Sequence, residues 1–124
     1  MPVEVSEGTP GGLRQRVWLS DSEPAEGDTL GVHSVILNPL NNSVDISYWE
    51  NCLEFRDTTR VRYLEPTFQF GNCTIAVRNL QPGDSVRSDA AAFVVGPPGL
   101  YDLEVRHLAD PPWTVAVRLR IHSR

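Results

Sequence analysis

The sequence contains no lysine, and all eleven of its basic residues are arginine. A GC-rich genome explains such a bias; a need for the planar, bidentate guanidinium is the alternative. Basic residues are also outnumbered, and the net charge of -5 gives a nucleic-acid partner no global electrostatic support. No apolar run approaches the roughly 18 residues of a membrane helix, so no membrane span is expected. The start has no basic segment followed by an apolar one, so no signal peptide is expected within the chain. No long stretch carries a 3.6-residue hydrophobic period, which argues against helices.

Chemistry-bearing patterns are equally scarce. There is no Gly-x-Ser-x-Gly elbow, no His-Glu-x-x-His and no glycine-rich loop opening a helix. His33, His107 and His122 are scattered, and with Cys52 and Cys73 they lack ligand spacing, so neither a metal nor a cofactor is expected. Glu23 and Glu26 lie in a polar loop with nothing apolar to raise a carboxyl pKa. The chain is therefore expected to bind rather than to catalyse.

What is present is period-two alternation. Leu13, Gln15, Val17 and Leu19 fall on one face and Arg14, Arg16 and Trp18 on the other. Thr29–Asn38 follows, then the turn Pro39-Leu40-Asn41-Asn42-Ser43 and a strand from Val44 to Trp49, which makes a hairpin. Leu53 and Phe55 suggest one short strand, Val61 and Tyr63 another, and Cys73–Arg78 a third; Phe68 and Phe70 are placed at one end of the core. Gln81-Pro82-Gly83-Asp84 is a strong turn signal. It precedes Ser85–Val95, whose Ala90–Val95 run fits a strand or one helical turn. Gly96-Pro97-Pro98-Gly99 then feeds a strand in which Tyr101, Leu103, Val105 and His107 share a face. A Tyr so placed often ties its hydroxyl to backbone across the end of a β-sandwich. Trp113, Val115, Val117, Leu119 and Ile121 form the cleanest amphipathic strand.

Short strands separated by turns predict an all-β, two-sheet sandwich of about seven to eight antiparallel strands. At 124 residues it is one domain, residues 13–124, behind a flexible leader over 1–12.

Two thiols are either a disulfide or a pair of free core cysteines. A Cys52–Cys73 bridge would close a loop of about twenty residues and stabilise by roughly 3 kcal/mol in the chain-entropy model. It would place the chain outside the cytoplasm, secreted, periplasmic or surface-exposed; free thiols would place it inside. The bridge is the expectation. Trp18 and Trp49 point away from the core by parity, and Trp18 shares its face with Arg16. That pairing suits a protein contact or stacking on a sugar ring, so another protein, copies of itself or a carbohydrate are the expected partners. The acidic early loop (Asp21, Glu23, Glu26, Asp28) and the basic end (Arg118, Arg120, Arg124) are complementary, which suits a structural subunit of a filament, capsid or surface layer.

From Gly31 to His107 the chain resembles the intracellular proteinase inhibitors, a family of bacterial immunoglobulin-like domains. The resemblance rests on a strand ending at Asn38 and on Val44-Asp45-Ile46-Ser47-Tyr48. It rests also on the turn Leu80-Gln81-Pro82-Gly83-Asp84-Ser85 and the strand Gly99-Leu100-Tyr101-Asp102-Leu103-Glu104-Val105. It implies an immunoglobulin-like sandwich and, as an alternative function, proteinase inhibition; no inhibitory residue is carried over. The two cysteines depart from an intracellular role.

Overall fold

Alternation of buried and exposed residues along β3 (Thr29–Leu37) and β7 (Ser85–Val94) sets the architecture. The two strands pair antiparallel over their whole length, from Thr29 against Phe93 to Leu37 against Ser85. In this computed structural model, which describes residues 4–8, 12–55, 59–63, 75–110 and 113–124, the other strands are as follows. They are β1 (Glu4–Gly8), β2 (Arg14–Leu19), β4 (Val44–Phe55), β5 (Val61–Tyr63), β6 (Ile75–Leu80), β8 (Gly99–Asp110) and β9 (Trp113–Ile121). A five-stranded sheet has the order β1-β2-β3-β7-β5 and a four-stranded sheet the order β6-β4-β8-β9. All strand pairings are antiparallel. The described residues contain no helix, and so none long and apolar enough to cross a membrane.

Nine strands are described, not seven or eight. One reason is β1. Glu4–Gly8 lies where a loose leader is expected, yet it pairs with β2, setting Val5 against Val17. Its sequence is polar and carries little alternation, so the order comes from the free backbone edge of β2. A second difference is β4, a single strand where two were expected; its pairing with β8 shifts register between Tyr48 and Leu53. The hairpin expected across Pro39–Ser43 does not form, because β3 pairs with β2 and β7 and the turn crosses to β4 in the other sheet. The Ala90–Val95 run is strand through Val94, with Ala92 and Val94 buried. Phe68 and Phe70 lie outside the described residues.

The core draws on both sheets. Its larger cluster joins Val17, Leu19, Leu30, Val32, Ala92 and Val94 to Leu53, Phe55, Leu103, Val105, Val117 and Leu119. A smaller one gathers Leu13, Ile36, Ile46, Leu80 and Val86 at one end. Three polar residues sit between the clusters along their strands: Gln15, Ser34 and Ser88, each fully buried. Gln15 Nε2 donates to Ser34 Oγ at 3.0 Å. Parity places all three on the core face; the hydrogen bond satisfies the amide nitrogen, while Gln15 Oε1 is buried with no hydrogen-bond partner among the described residues.

Candidate functional site

The outward face of the five-stranded sheet is built from residues that alternate with the core. On β2 these are Arg14, Arg16 and Trp18; on β3, His33, Val35 and Leu37; on β7, Arg87, Asp89 and Phe93. Register arranges them in rows across the sheet. Arg16 opposes Val35, which opposes Arg87; Trp18 opposes His33, which opposes Asp89. At one end Arg62 of β5 opposes Phe93. No local sequence pattern shows these rows, because 56 residues separate His33 from Asp89.

Trp18 is the centre of the cluster. Its ring stacks on His33, with centroids 5.3 Å apart and planes 28° off parallel. The Arg87 guanidinium lies 5.2 Å from the Trp18 ring centroid, a cation–π contact. His33 Nδ1 donates to Asp89 Oδ1 at 2.5 Å, since an ionised carboxylate can only accept. Arg87 Nε donates to the same carboxylate, at 2.9 Å to Oδ1 and 3.2 Å to Oδ2. Four side chains on three strands thus hold one another in place. Trp18 and Arg16 share a face as expected, but the partners of the ring are His33 and Arg87. Parity places His33 outward; its link to Asp89 and Arg87 needs the strand order.

Partial burial pushes the Asp89 carboxyl up, but hydrogen bonds from His33 and Arg87, with their charges, outweigh this and hold it below its ordinary value. A depressed carboxyl contributes stability that is fully present above its unfolded pKa, about 4, and is lost as pH falls through the lower folded value. The side chain is 44 % exposed, so solvent screening keeps the effect small. In urea unfolding, the stability difference between the wild type and Asp89→Asn is expected to hold constant at neutral pH and shrink below about pH 4. A difference that stays flat into strong acid would show that the ion pair does not work this way.

The remaining expected residues lie elsewhere. Trp49 is in β4, on the other sheet, opposite Ile75, and its side chain is outside the described set. Cys52 is also in β4 with its side chain undescribed, and Cys73 lies outside the described residues; no disulfide joins described residues. Tyr101 packs against the larger core cluster and its hydroxyl donates to the Pro97 carbonyl at 3.0 Å. The Arg60 guanidinium sits 4.7 Å from the Tyr101 ring centroid. This is a structural tyrosine, fixing the turn that opens β8.

The acidic loop and the basic end meet within the one chain. Ser22 and Pro24 carbonyls accept from the Arg120 and His122 amides, both at 2.9 Å, and the Glu26 amide donates to the His122 carbonyl at 2.9 Å. Ala25 and His122 form a parallel bridge. Glu23 reaches His122 at 3.2 Å and Arg120 at 3.8 Å, and Asp28 pairs with Arg124. Complementarity that could serve a neighbour is here satisfied internally. No protein-family model and no curated protein matches this sequence.

Proposed function

We propose that the chain is a non-enzymatic binding module of a secreted or cell-surface protein, folded as an immunoglobulin-like sandwich. The partner is another protein, docked on the outward face of the five-stranded sheet. One observation carries this reading: Trp18 is held on that face by His33 and Arg87, and Asp89 ties those two together. Interface hot spots favour Trp and Arg whose positions are fixed before binding, because little conformational entropy is then lost. The sandwich reading is supported by a core drawing on both sheets and by Tyr101, whose hydroxyl meets backbone four residues upstream.

The test is selection of a displayed random peptide library on the immobilised full chain. Peptides enriched on the wild type are expected to lose at least about tenfold in affinity on Trp18→Ala, which should leave the melting temperature within a few degrees. Enriched peptides indifferent to Trp18 would remove this face as the docking site. The compartment is tested separately by the intact mass of native protein, with thiols alkylated before and after reduction. A Cys52–Cys73 bridge supports the extracytoplasmic assignment, and two alkylated thiols in native material would reverse it.

A further inference from the structure

The two outward faces of the protein differ in how their charge is balanced. On the four-stranded sheet three arginines pair with carboxylates: Arg106 with Glu54 at 3.4 Å, Arg118 with Asp102 at 3.4 Å, and Arg120 with Glu23 of the early loop at 3.8 Å. A shallow depression of about 310 Å³ beside Leu100 is lined by Arg118 and Arg120, which already take part in these pairs. On the five-stranded face the count of charges is uneven. This face carries Arg14, Arg16, Arg62 and Arg87, all exposed, against Asp89. Even counting Glu4, whose register position is opposite Trp18, four arginines and two carboxylates occupy this sheet's outward register positions among the described residues. The excess is positive on a protein whose total charge is -5.

Spacing narrows the ligand. Arg14, Arg16 and Trp18 succeed one another on one face of β2, so their Cα atoms are about 6.6–7 Å apart. Arg87 lies two strands over from Arg16 in the same row, at about 9.5–10 Å. β1 places Ser6 and Gly8 beside Arg16 and Arg14, so no bulky residue stands at those register positions. An extended peptide repeats its same-side side chains at the same 6.6–7 Å or so. Carboxylates on alternate residues therefore meet Arg14 and Arg16 together, and the next same-side residue meets Trp18. Arg14 and Arg16 also have contacts of their own in the free protein, so binding exchanges partners.

We propose that this face binds an extended acidic polypeptide segment of the pattern acidic-x-acidic-x-apolar, with its carboxylates on Arg14 and Arg16 and its apolar side chain against Trp18. This rests on the reading of the Trp18 face as the docking site and adds the chemical class of its partner. Guanidinium–carboxylate pairs give the charge preference and the rate of capture; the aromatic supplies the anchor.

The experiment is titration of the full chain with two synthetic peptides, one alternating Glu and Thr and ending in Leu, the other with Gln for every Glu. The Glu peptide is expected to bind at least about tenfold tighter, and to weaken by a similar factor from about 50 to about 500 mM salt. Arg14→Glu with Arg16→Glu should abolish the preference while leaving the melting temperature unchanged within a few degrees. If both peptides bind equally and both weaken on Trp18→Ala, the acidic preference is wrong and the docking face stands. If the Glu peptide binds but ignores both the arginine and the tryptophan variants, the preference and the face both fall. Binding of polygalacturonate or oligothymidylate in place of the Glu peptide, lost with Arg14→Glu and Arg16→Glu, overturns the polypeptide assignment, as does failure of all probes to bind.

Discussion

Replacing Phe55 by alanine is expected to remove about 4 kcal/mol of folding stability, much of what a domain this size possesses. Phe55 is 4 % exposed and stands opposite Val105, within the cluster that also holds Leu53, Val61 and Leu103. Its removal leaves a hole that strands on both sides cannot close without breaking their ladders, so transfer and cavity penalties add. Urea unfolding should show a much lower midpoint with an unchanged slope. Phe55→Leu, which keeps most of the volume, should cost about 1–1.5 kcal/mol. A cost below about 1 kcal/mol for the alanine variant would mean that the end of β4 does not pack as described.

The second large effect falls on Asn38, which is fully buried where β3 gives way to the turn that carries the chain across to β4 in the other sheet. Its side chain holds three backbone groups. Nδ2 donates to the Asn42 and Leu80 carbonyls, each at 2.9 Å, and Oδ1 accepts from the Leu40 amide at 2.9 Å. Its own amide donates to the Asp84 carbonyl at 2.9 Å and its carbonyl accepts from Gly83 at 2.8 Å. One residue thus ties the 38–43 turn to the 80–84 turn.

Asn38→Ala strands these groups and should cost about 2–4 kcal/mol. Asn38→Asp should be worse at neutral pH, by about another 1–2 kcal/mol, because a buried carboxylate would face two carbonyl oxygens. Burial raises the folded pKa of that new carboxyl, so the added penalty is absent below the unfolded value near 4 and grows as pH rises through the window above it. Comparing the two variants by urea unfolding at about pH 3 and pH 7 checks the sign. If Asn38→Asp matched wild type at neutral pH, the two donated bonds would be discounted.

The parts of the fold visible in the sequence are those set by one strand and its own turn. Trp113–Ile121 alternates without interruption, and it forms β9 with Val115, Val117, Leu119 and Ile121 buried. Gln81-Pro82-Gly83-Asp84 turns as its residues require, with Gly83 at φ 86° and the Asp84 amide donating to the Gln81 carbonyl at 2.9 Å. Tyr101 could be placed because a Gly-Pro-Pro-Gly turn leaves little choice of where the following strand begins. What the sequence conceals depends on neighbours. β1 exists through the edge it completes, and the break between Tyr48 and Leu53 looked like the end of a strand rather than a register shift within one. The cluster around Trp18 was half visible. Parity points Trp18 and His33 outward, but Arg87 and Asp89 join them only because β7, rather than β4, is the second neighbour of β3.

The short segment Ser22–Glu26 along the end of β9 bears on how the molecule behaves in a crowd. β9 is an edge of the four-stranded sheet, and exposed edges invite strands from other molecules. Here a stretch of the same chain already occupies the amides of Arg120 and His122 and the carbonyl of His122. Tethered, it competes at an effective concentration on the order of millimolar, which a stranger at micromolar levels does not match. Pro24, buried in that stretch, has no N–H to extend the ladder, so the guard stays short and offers little edge of its own. Arg124, whose Nε donates to the Glu26 carbonyl at 2.7 Å, is its clasp. Ser22–Glu26, held by Arg124, thereby leaves this end of the β9 edge with its backbone groups already paired within the chain.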